Sequence, residues 1–173
     1  MKPLALFGVI VVVGLVAIGA ALHLTNNSAS AKLPPLSPAS EQALFVREGN
    51  GACARFYKAL FTALEGRGKP KNAKTWARYL RMTIPLFVRM DAELRTLVPP
   101  RRDAGTYRRL LRISRREIRE ARAVQHALET GQVRRARRIG RGEHLDRRAN
   151  SLSRKIGLTI CGLNGHQMSQ RYG

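Results

Sequence analysis

Residues 76–97, with the sequence WARYLRMTIPLFVRMDAELRTL, carry mostly apolar side chains at alternating spacings of four and three residues. The residues in this pattern are Trp76, Leu80, Thr83, Phe87, Met90, Leu94 and Leu97. Such spacing keeps side chains on one face of a helix and is typical of the seam of a helical bundle. Because the register continues beyond Pro85, the sequence predicts one kinked helix here.

Three further segments show the same periodicity, and no convincing strand alternation follows Glu41. Their approximate bounds are 41–65, 103–131 and 133–157. The first is expected to be interrupted near its beginning by the turn-like Gly49-Asn50-Gly51. The apolar face of the third carries fewer large side chains than the others. Short links between the helices predict an all-α, antiparallel four-helix up-and-down bundle.

The helix ends have recognisable signals. Asn72 and Asp103 are placed to cap the second and third helices. Gly131 and Gly157 are placed to end the third and fourth.

Two cysteines lie at opposite ends of the predicted domain, Cys53 in the first helix and Cys161 just after the fourth. In an antiparallel bundle these positions can meet, so the sequence predicts a disulfide. Closing a loop of about a hundred residues stabilises a fold by roughly 4–5 kcal/mol in the chain-entropy description. The alternative is two unpaired buried thiols. A disulfide would favour a compartment outside the cytoplasm.

An uncharged apolar run of 19 residues covers positions 4–22. As a helix at about 1.5 Å per residue, it is close to the ~30 Å hydrocarbon core of a bilayer. Residues 1–24 are therefore predicted to form a transmembrane anchor or a signal segment. Cleavage after Ala31 is the alternative, because Ala29-Ser30-Ala31 has the small-x-small pattern of a signal-peptidase site.

Basic residues near the apolar run favour one orientation. The amino group and Lys2 precede the run, and only Lys32 follows it closely, so we expect a single-pass plasma-membrane protein with its C-terminal domain outside. The inverted orientation is the alternative. The expected organisation is an anchor or signal at 1–24, a flexible Ser/Ala/Pro tether at 25–40, a basic four-helix domain at 41–165 and a tail at 166–173.

The chain is strongly basic, with 32 Lys and Arg against 11 Asp and Glu and a formal net charge of +21. Guanidinium groups bind phosphate and carboxylate oxygens through paired hydrogen bonds, so arginine pairs on the third and fourth helices are the predicted anion-binding residues. They are Arg108, Arg109, Arg115, Arg116, Arg134, Arg135, Arg137 and Arg138. The alternative is a solvated basic surface that serves solubility.

The partners that this charge favours are polyanions. We expect the anionic lipid headgroups of the anchoring membrane, with an anionic wall polymer or an acidic protein as further possibilities. Nucleic acid is the alternative, although the sequence has no helix-turn-helix, zinc-finger or aromatic RNA-binding motif. Binding through many exposed charges should weaken with salt.

The sequence offers no pattern of an enzyme. Its carboxylates mostly lie three or four residues from arginines, where surface ion pairs are expected, and no phosphate-binding loop, nucleophile elbow or His-Glu-x-x-His motif occurs. His126 and His144, with Glu143 and Asp146 nearby, do not have zinc-ligand spacing. We therefore expect a non-enzymatic module without cofactor, metal or small-molecule substrate.

A sequence signature extends over residues 50–165. It consists of Cys53, Leu94-x-x-Leu97-x-Pro99-Pro100, Tyr107, Gly131 and Ile156-Gly157-Leu158-x-x-Cys161. This order resembles an uncharacterised family of exported helical-bundle proteins of high-GC Gram-positive bacteria. The resemblance implies the helical architecture and an extracytoplasmic location, and it supplies no catalytic residue.

Overall fold

The computed structural model describes residues 37–140 and 145–172, and within those residues the chain is all-helical, as predicted. The helices are α1 (Pro38–Leu64), α2 (Ala73–Arg95), α3 (Ala104–Glu129), α4 (Val133–Gly140), α5 (Leu145–Lys155) and α6 (Gly165–Tyr172). The predicted anchor or signal at 1–24, and nearly all of the tether, lie outside the described residues. None of the six described helices has the length and apolar character needed to span a bilayer.

Helix α1 runs without a break through the glycine-containing tripeptide that was expected to interrupt it. The tertiary structure explains the difference: a Cβ atom on Gly49 would lie 2.5 Å from Leu158 Cδ2. Next to it, Asn50 Nδ2 donates to the Gly157 carbonyl at 3.2 Å, and its Oδ1 accepts from the Ile160 amide at 2.8 Å. The tripeptide is therefore a docking point for the segment that follows α5. The helix also begins earlier than predicted, at Pro38, where Ser37 Oγ accepts from the Ser40 amide.

Helix α2 continues through Pro85, as predicted. Asn72 caps it through a reciprocal pair of bonds, since Asn72 Oδ1 accepts from the Thr75 amide and Thr75 Oγ1 accepts from the Asn72 amide. Asp103 makes no side-chain capping bond to α3, because its own backbone is already helical (φ −98°, ψ −11°). The expectation of a cap at Asp103 was therefore wrong.

The first three helices pack as antiparallel neighbours. Between α1 and α2, Phe56 contacts Phe87 at 5.2 Å between ring centroids. The earlier residues Arg47 and Glu48 line one groove with the later residues Thr96 and Leu97, so positions rise along one helix as they fall along the other. Between α2 and α3, the Tyr107 hydroxyl donates to the Leu94 carbonyl near one end. Near the other end, Arg81 pairs with Glu129 at 2.6 Å.

The predicted fourth helix corresponds to two described helices, α4 and α5, with residues 141–144 between them outside the description. Both helices pack on α3. The glycines predicted to end the third and fourth segments are confirmed in the left-handed backbone region, Gly131 at φ +73° and Gly157 at φ +83°.

The residues that the sequence assigns to a tail form helix α6. Its last residue, Tyr172, packs against Tyr57 and Phe61 of α1, with ring centroids 5.7 Å and 6.5 Å apart. Aromatic contacts of this kind add to the energy of apolar burial. The C-terminal residues are therefore part of the packed domain.

The segment after α5 packs closely against α1. Cys53 and Cys161 are bonded there with an S–S distance of 2.03 Å, which is the predicted pairing. Beside them a cluster of buried side chains forms the core: Phe45, Tyr107, Leu110, Ile156 and Leu158. Phe45 and Tyr107 meet edge to face at 5.1 Å, and Leu158 is completely buried.

Candidate functional site

The eight predicted anion-binding arginines are all exposed. On α3, Arg108 and Arg115 belong to a wider set of exposed arginines at spacings of four and three residues. This spacing places the set on the solvent side of the helix, opposite Leu110 and Ile118. The members of this set are Arg108, Arg112, Arg115, Arg119 and Arg122. Helix α3 therefore presents a cationic face to solvent.

A groove of about 500 Å³ between α3 and α5 brings part of this charge together. Its lining consists of Arg109, Arg112, Ile113, Arg116, Leu145, Arg148, Ser151 and Leu152. Two of the predicted anion-binding residues, Arg109 and Arg116, meet here with Arg112 and Arg148. The four predicted arginines of α4 do not line this groove, so it does not join the charges of α3 and α4.

The described ion pairs engage few of these arginines. They are Arg55–Glu93, Arg81–Glu129, Arg89–Glu93, Arg95–Asp91, Arg102–Asp103 and Arg116–Glu120. Within residues 37–140 and 145–172, Arg109, Arg112 and Arg148 are in none of these pairs. Arg109 donates one hydrogen bond to Thr106 Oγ1 at 3.4 Å. The other guanidinium N–H groups of these three arginines can bind an anionic ligand. We call the α3–α5 groove with its four arginines the basic groove.

A second site, which was not among the predictions from the sequence, is a cavity of about 830 Å³ between the helices of the bundle. The predicted seam of α2 forms one wall, through Leu80, Thr83, Phe87, Met90 and Leu94. Helix α1 contributes Cys53, Phe56, Tyr57 and Leu60, and α3 contributes Leu110, Ser114, Glu117, Ile118 and Ala121. The exposed residues Asp146, Arg147 and Arg154 of α5 lie at its edge.

Glu117 is the carboxyl group on the α3 wall of this cavity. Burial raises its pKa from 4.5 to about 7, and the nearby carboxylates of Asp146 and Glu120 raise it further in the same direction. Burial likewise raises the pKa of Tyr57 to about 12, with smaller contributions from Tyr172 and Glu117. The cavity thus holds a carboxyl that keeps its proton up to about neutral pH and a phenol that stays protonated.

Ser114 lies one turn before Glu117 on the same wall. Its hydroxyl is buried and has no hydrogen-bond partner among the described residues. A buried polar group without a partner is unfavourable, and such groups in folded proteins are uncommon. The cavity therefore contains both an unused hydroxyl and a protonated carboxyl on an otherwise apolar surface.

The side chains at these two sites supply hydrogen-bonding groups and positive charge. In the described ranges, no group of three His, Cys, Asp or Glu side chains is arranged to hold a metal ion. His126 is exposed on α3 and Asp146 lies at the cavity edge, whereas Glu143 and His144 fall in the undescribed segment.

A signal for the cavity was present in the sequence. The third helix carries few large side chains on its apolar face, and Ser114 and Ala121 occupy positions where a bundle of this size would usually carry larger residues. Glu117 is seven residues after Leu110 and four before Ala121, which places a carboxyl on that same face. A small-residue face containing a carboxyl indicates an unfilled interior.

No protein-family model, no curated protein and no solved structure matches this chain. The resemblance to exported helical-bundle proteins therefore stays an expectation from the sequence.

Proposed function

We propose that this protein is a membrane-held, non-enzymatic binding module whose basic groove binds the headgroups of anionic phospholipids. The observation that carries the proposal is the meeting of Arg109, Arg112, Arg116 and Arg148 at one groove. Guanidinium groups pair with phosphate oxygens in bidentate geometry, and several of them at one place bind more strongly than the same charges dispersed.

The floor of the groove favours a lipid over other polyanions. Ile113, Leu145 and Leu152 line it between the arginines. A phospholipid offers both a phosphate for the guanidinium groups and hydrocarbon for these apolar side chains. A nucleic-acid backbone or a wall polymer offers phosphate without matching hydrocarbon, so each uses only part of the surface.

The location proposed for this function is the outer face of the plasma membrane. The apolar run at 4–22 would hold the chain on the membrane, and the pairing of Cys53 with Cys161 suits an oxidising compartment. A secreted form, cleaved after Ala31, would carry the same groove to the same lipids. Protease treatment of intact cells tests the location, because an exposed domain is digested and a cytoplasmic one is protected.

Binding is tested with the full chain held in phosphatidylcholine nanodiscs, so that its own membrane segment is satisfied. Soluble short-chain phosphatidylglycerol is titrated against it, with short-chain phosphatidylcholine in parallel, by calorimetry. We expect binding of the anionic lipid only, and weaker binding as the salt rises from about 50 to 500 mM. Equal binding of the two lipids would contradict the proposal.

A matched pair of variants localises the site. Arg109→Gln/Arg148→Gln removes two charges from the groove, and Arg67→Gln/Arg78→Gln removes two exposed charges that do not line it. The groove variant should bind phosphatidylglycerol at least about tenfold more weakly, and the control within about twofold of the unmodified chain. Equal losses of phosphatidylglycerol affinity in the two variants would show that net charge, and not the groove, determines binding. A phosphate oligonucleotide that binds more tightly than the lipid, with the same variant dependence, would favour nucleic acid instead.

A further inference from the structure

The internal cavity has the dimensions of a ligand site. Its volume of about 830 Å³ lies within the range of roughly 300–1,000 Å³ that is usual for small-molecule pockets. Its walls are mainly apolar side chains of three long helices, among them Phe56, Leu80, Ile84, Phe87 and Ile118.

Two polar groups on the α3 wall distinguish one side of the cavity from its apolar walls. Ser114 and Glu117 are three residues apart on α3, so their side chains are neighbours on the same helical face. The Ser114 hydroxyl has no partner among the described residues. A protonated Glu117 can both donate and accept a hydrogen bond. A ligand oxygen placed between them would complete the bonding of both.

The charges around the cavity exclude an ionised headgroup. A cationic ligand would have to pass Arg147 and Arg154 at the edge of a domain that is itself strongly basic. An anionic headgroup would lie beside Asp146, and if it took the proton of Glu117 it would face a second carboxylate. An uncharged polar end avoids both conflicts.

We propose that the cavity binds a long-chain alcohol, a mainly hydrocarbon molecule whose terminal hydroxyl bonds to Ser114 and Glu117. The hydrocarbon portion lies along the apolar wall that α1 and α2 form. The ligand enters past the α5 residues at the edge of the cavity. This site is separate from the basic groove, because the two share no lining residue.

The test is photolabelling of the full chain in phosphatidylcholine nanodiscs with a diazirine derivative of hexadecanol. Peptides of the digested protein are then identified by mass spectrometry. We expect labels on cavity residues of α1, α2 and α3, such as Phe56, Phe87 and Ile118. Residues 4–22, which are predicted to lie in the bilayer, should be labelled in every sample and provide the reference intensity. A chain labelled only within 4–22 would overturn the proposal.

Filling the cavity should remove the labelling. Ala121→Phe places a ring in the cavity, whereas Ala123→Phe places the same ring on the exposed side of the same helix. We expect at least about a tenfold loss of cavity labels in the first variant and none in the second. Circular dichroism and thermal unfolding establish that both variants are folded. Unchanged labelling in a folded Ala121→Phe protein would overturn the proposal.

The role of the ligand's terminal hydroxyl is tested by removing its hydrogen-bond partner, the Ser114 hydroxyl, with little change in side-chain volume. The unmodified chain should prefer the alcohol over a diazirine hydrocarbon of equal length that lacks oxygen. Ser114→Ala should abolish that preference, and Ser169→Ala, at an exposed position that lines neither site, should retain it. If the hydrocarbon labels the unmodified cavity as well as the alcohol does, the cavity has no polar recognition and the proposal fails.

Failure of this proposal is distinguishable from failure at the basic groove. Arg109→Gln/Arg148→Gln leaves every cavity residue unchanged, so its cavity labelling should equal that of the unmodified chain. Loss of cavity labelling in that variant would mean that the label reports lipid at the groove, and it would overturn the assignment to the cavity.

Discussion

Two adjoining regions of the bundle differ in how closely their side chains pack. Where the segment after α5 meets α1, Leu158 is fully buried, Cys53 and Phe45 are 1% and 2% exposed, and Gly49 leaves no room for a side chain. The disulfide and Leu110 also border the second region, where α1, α2 and α3 line an open cavity of about 830 Å³ with a carboxyl on its wall. The comparison indicates that close packing in the first region stabilises the fold and offsets the cost of the unfilled space in the second.

The largest loss should follow removal of the disulfide. Cys53→Ala/Cys161→Ala releases a loop with a sequence separation of 108, which should lower the free energy of unfolding by about 4 kcal/mol in the chain-entropy description. Denaturant unfolding measures the loss. Intact-mass analysis after alkylation without reductant should find no blocked thiol in the unmodified protein. Two blocked thiols would contradict the pairing.

Truncation in the dense core should have the next largest effect. Leu158→Ala removes a fully buried side chain that packs on Gly49, Phe45 and Tyr107, and should destabilise the fold by about 3 kcal/mol. Val98→Ala, at a position that is 86% exposed, should change the stability by less than about 0.5 kcal/mol. Similar effects of the two substitutions in chemical denaturation would remove the contrast between core and surface.

In the cavity region, stability should depend on the protonation of Glu117. Its pKa is about 7 when folded and near 4.5 when unfolded, so both states are protonated below about pH 4.5 and the carboxyl has no differential effect there. As the pH rises from about 4.5 to 7 the unfolded state loses its proton first, and stability falls by about 2–3 kcal/mol, a loss that is complete above pH 7. The groups around this carboxyl are Tyr57, Glu120, Asp146, Arg147 and Arg154.

Glu117→Gln should remove that part of the pH dependence. The variant should match the unmodified chain at pH 4 and be more stable by about 2 kcal/mol at pH 8. Exposed Glu48→Gln on α1 is the matched control and should retain the original profile. Denaturant unfolding at pH 4, 6 and 8 measures the difference. A parallel profile for Glu117→Gln would show that the carboxyl is not buried as described.

The smallest effect should come from Asn50, in the closely packed region. Asn50→Ala removes the bonds to the Gly157 carbonyl and from the Ile160 amide and should destabilise the fold by about 1–2 kcal/mol. Hydrogen exchange gives a local readout, because the Ile160 amide should lose its protection while amides within α3 keep theirs. Unchanged protection at Ile160 would mean that Asn50 does not hold the segment.

Local patterns predicted the helices well and their tertiary roles less well. The seam of α2 and the pairing of the cysteines follow from spacing and topology, which the sequence contains directly. Gly49-Asn50-Gly51 was expected to form a turn because glycine weakens a helix locally. Its helical state depends on Leu158, more than a hundred residues away, and no local pattern reports that contact.

The cavity illustrates the same limit for the site. Most lining residues lie on helical faces, and the predicted seam residue Leu80 forms part of one wall. Whether facing side chains fill the space between helices depends on their summed volumes at the packed geometry. Trp76 shows the converse, since it begins the seam by spacing yet is 45% exposed. Arginine pairs were visible in the sequence, but only the packing of α5 on α3 selects which of them share a groove.

The disulfide also determines how the domain would respond to a pulling force. Tension applied between Ser37 and Tyr172 passes from α1 through Cys53 and Cys161 to α6, so the helices between the two cysteines carry none of it. The two cysteines are separated by 108 residues in sequence. At roughly 3.5 Å per extended residue, about 380 Å of chain would therefore not contribute to the extension measured in a stretching experiment. Under oxidising conditions the domain would act as a short mechanical link, and reduction would turn it into a long extensible one.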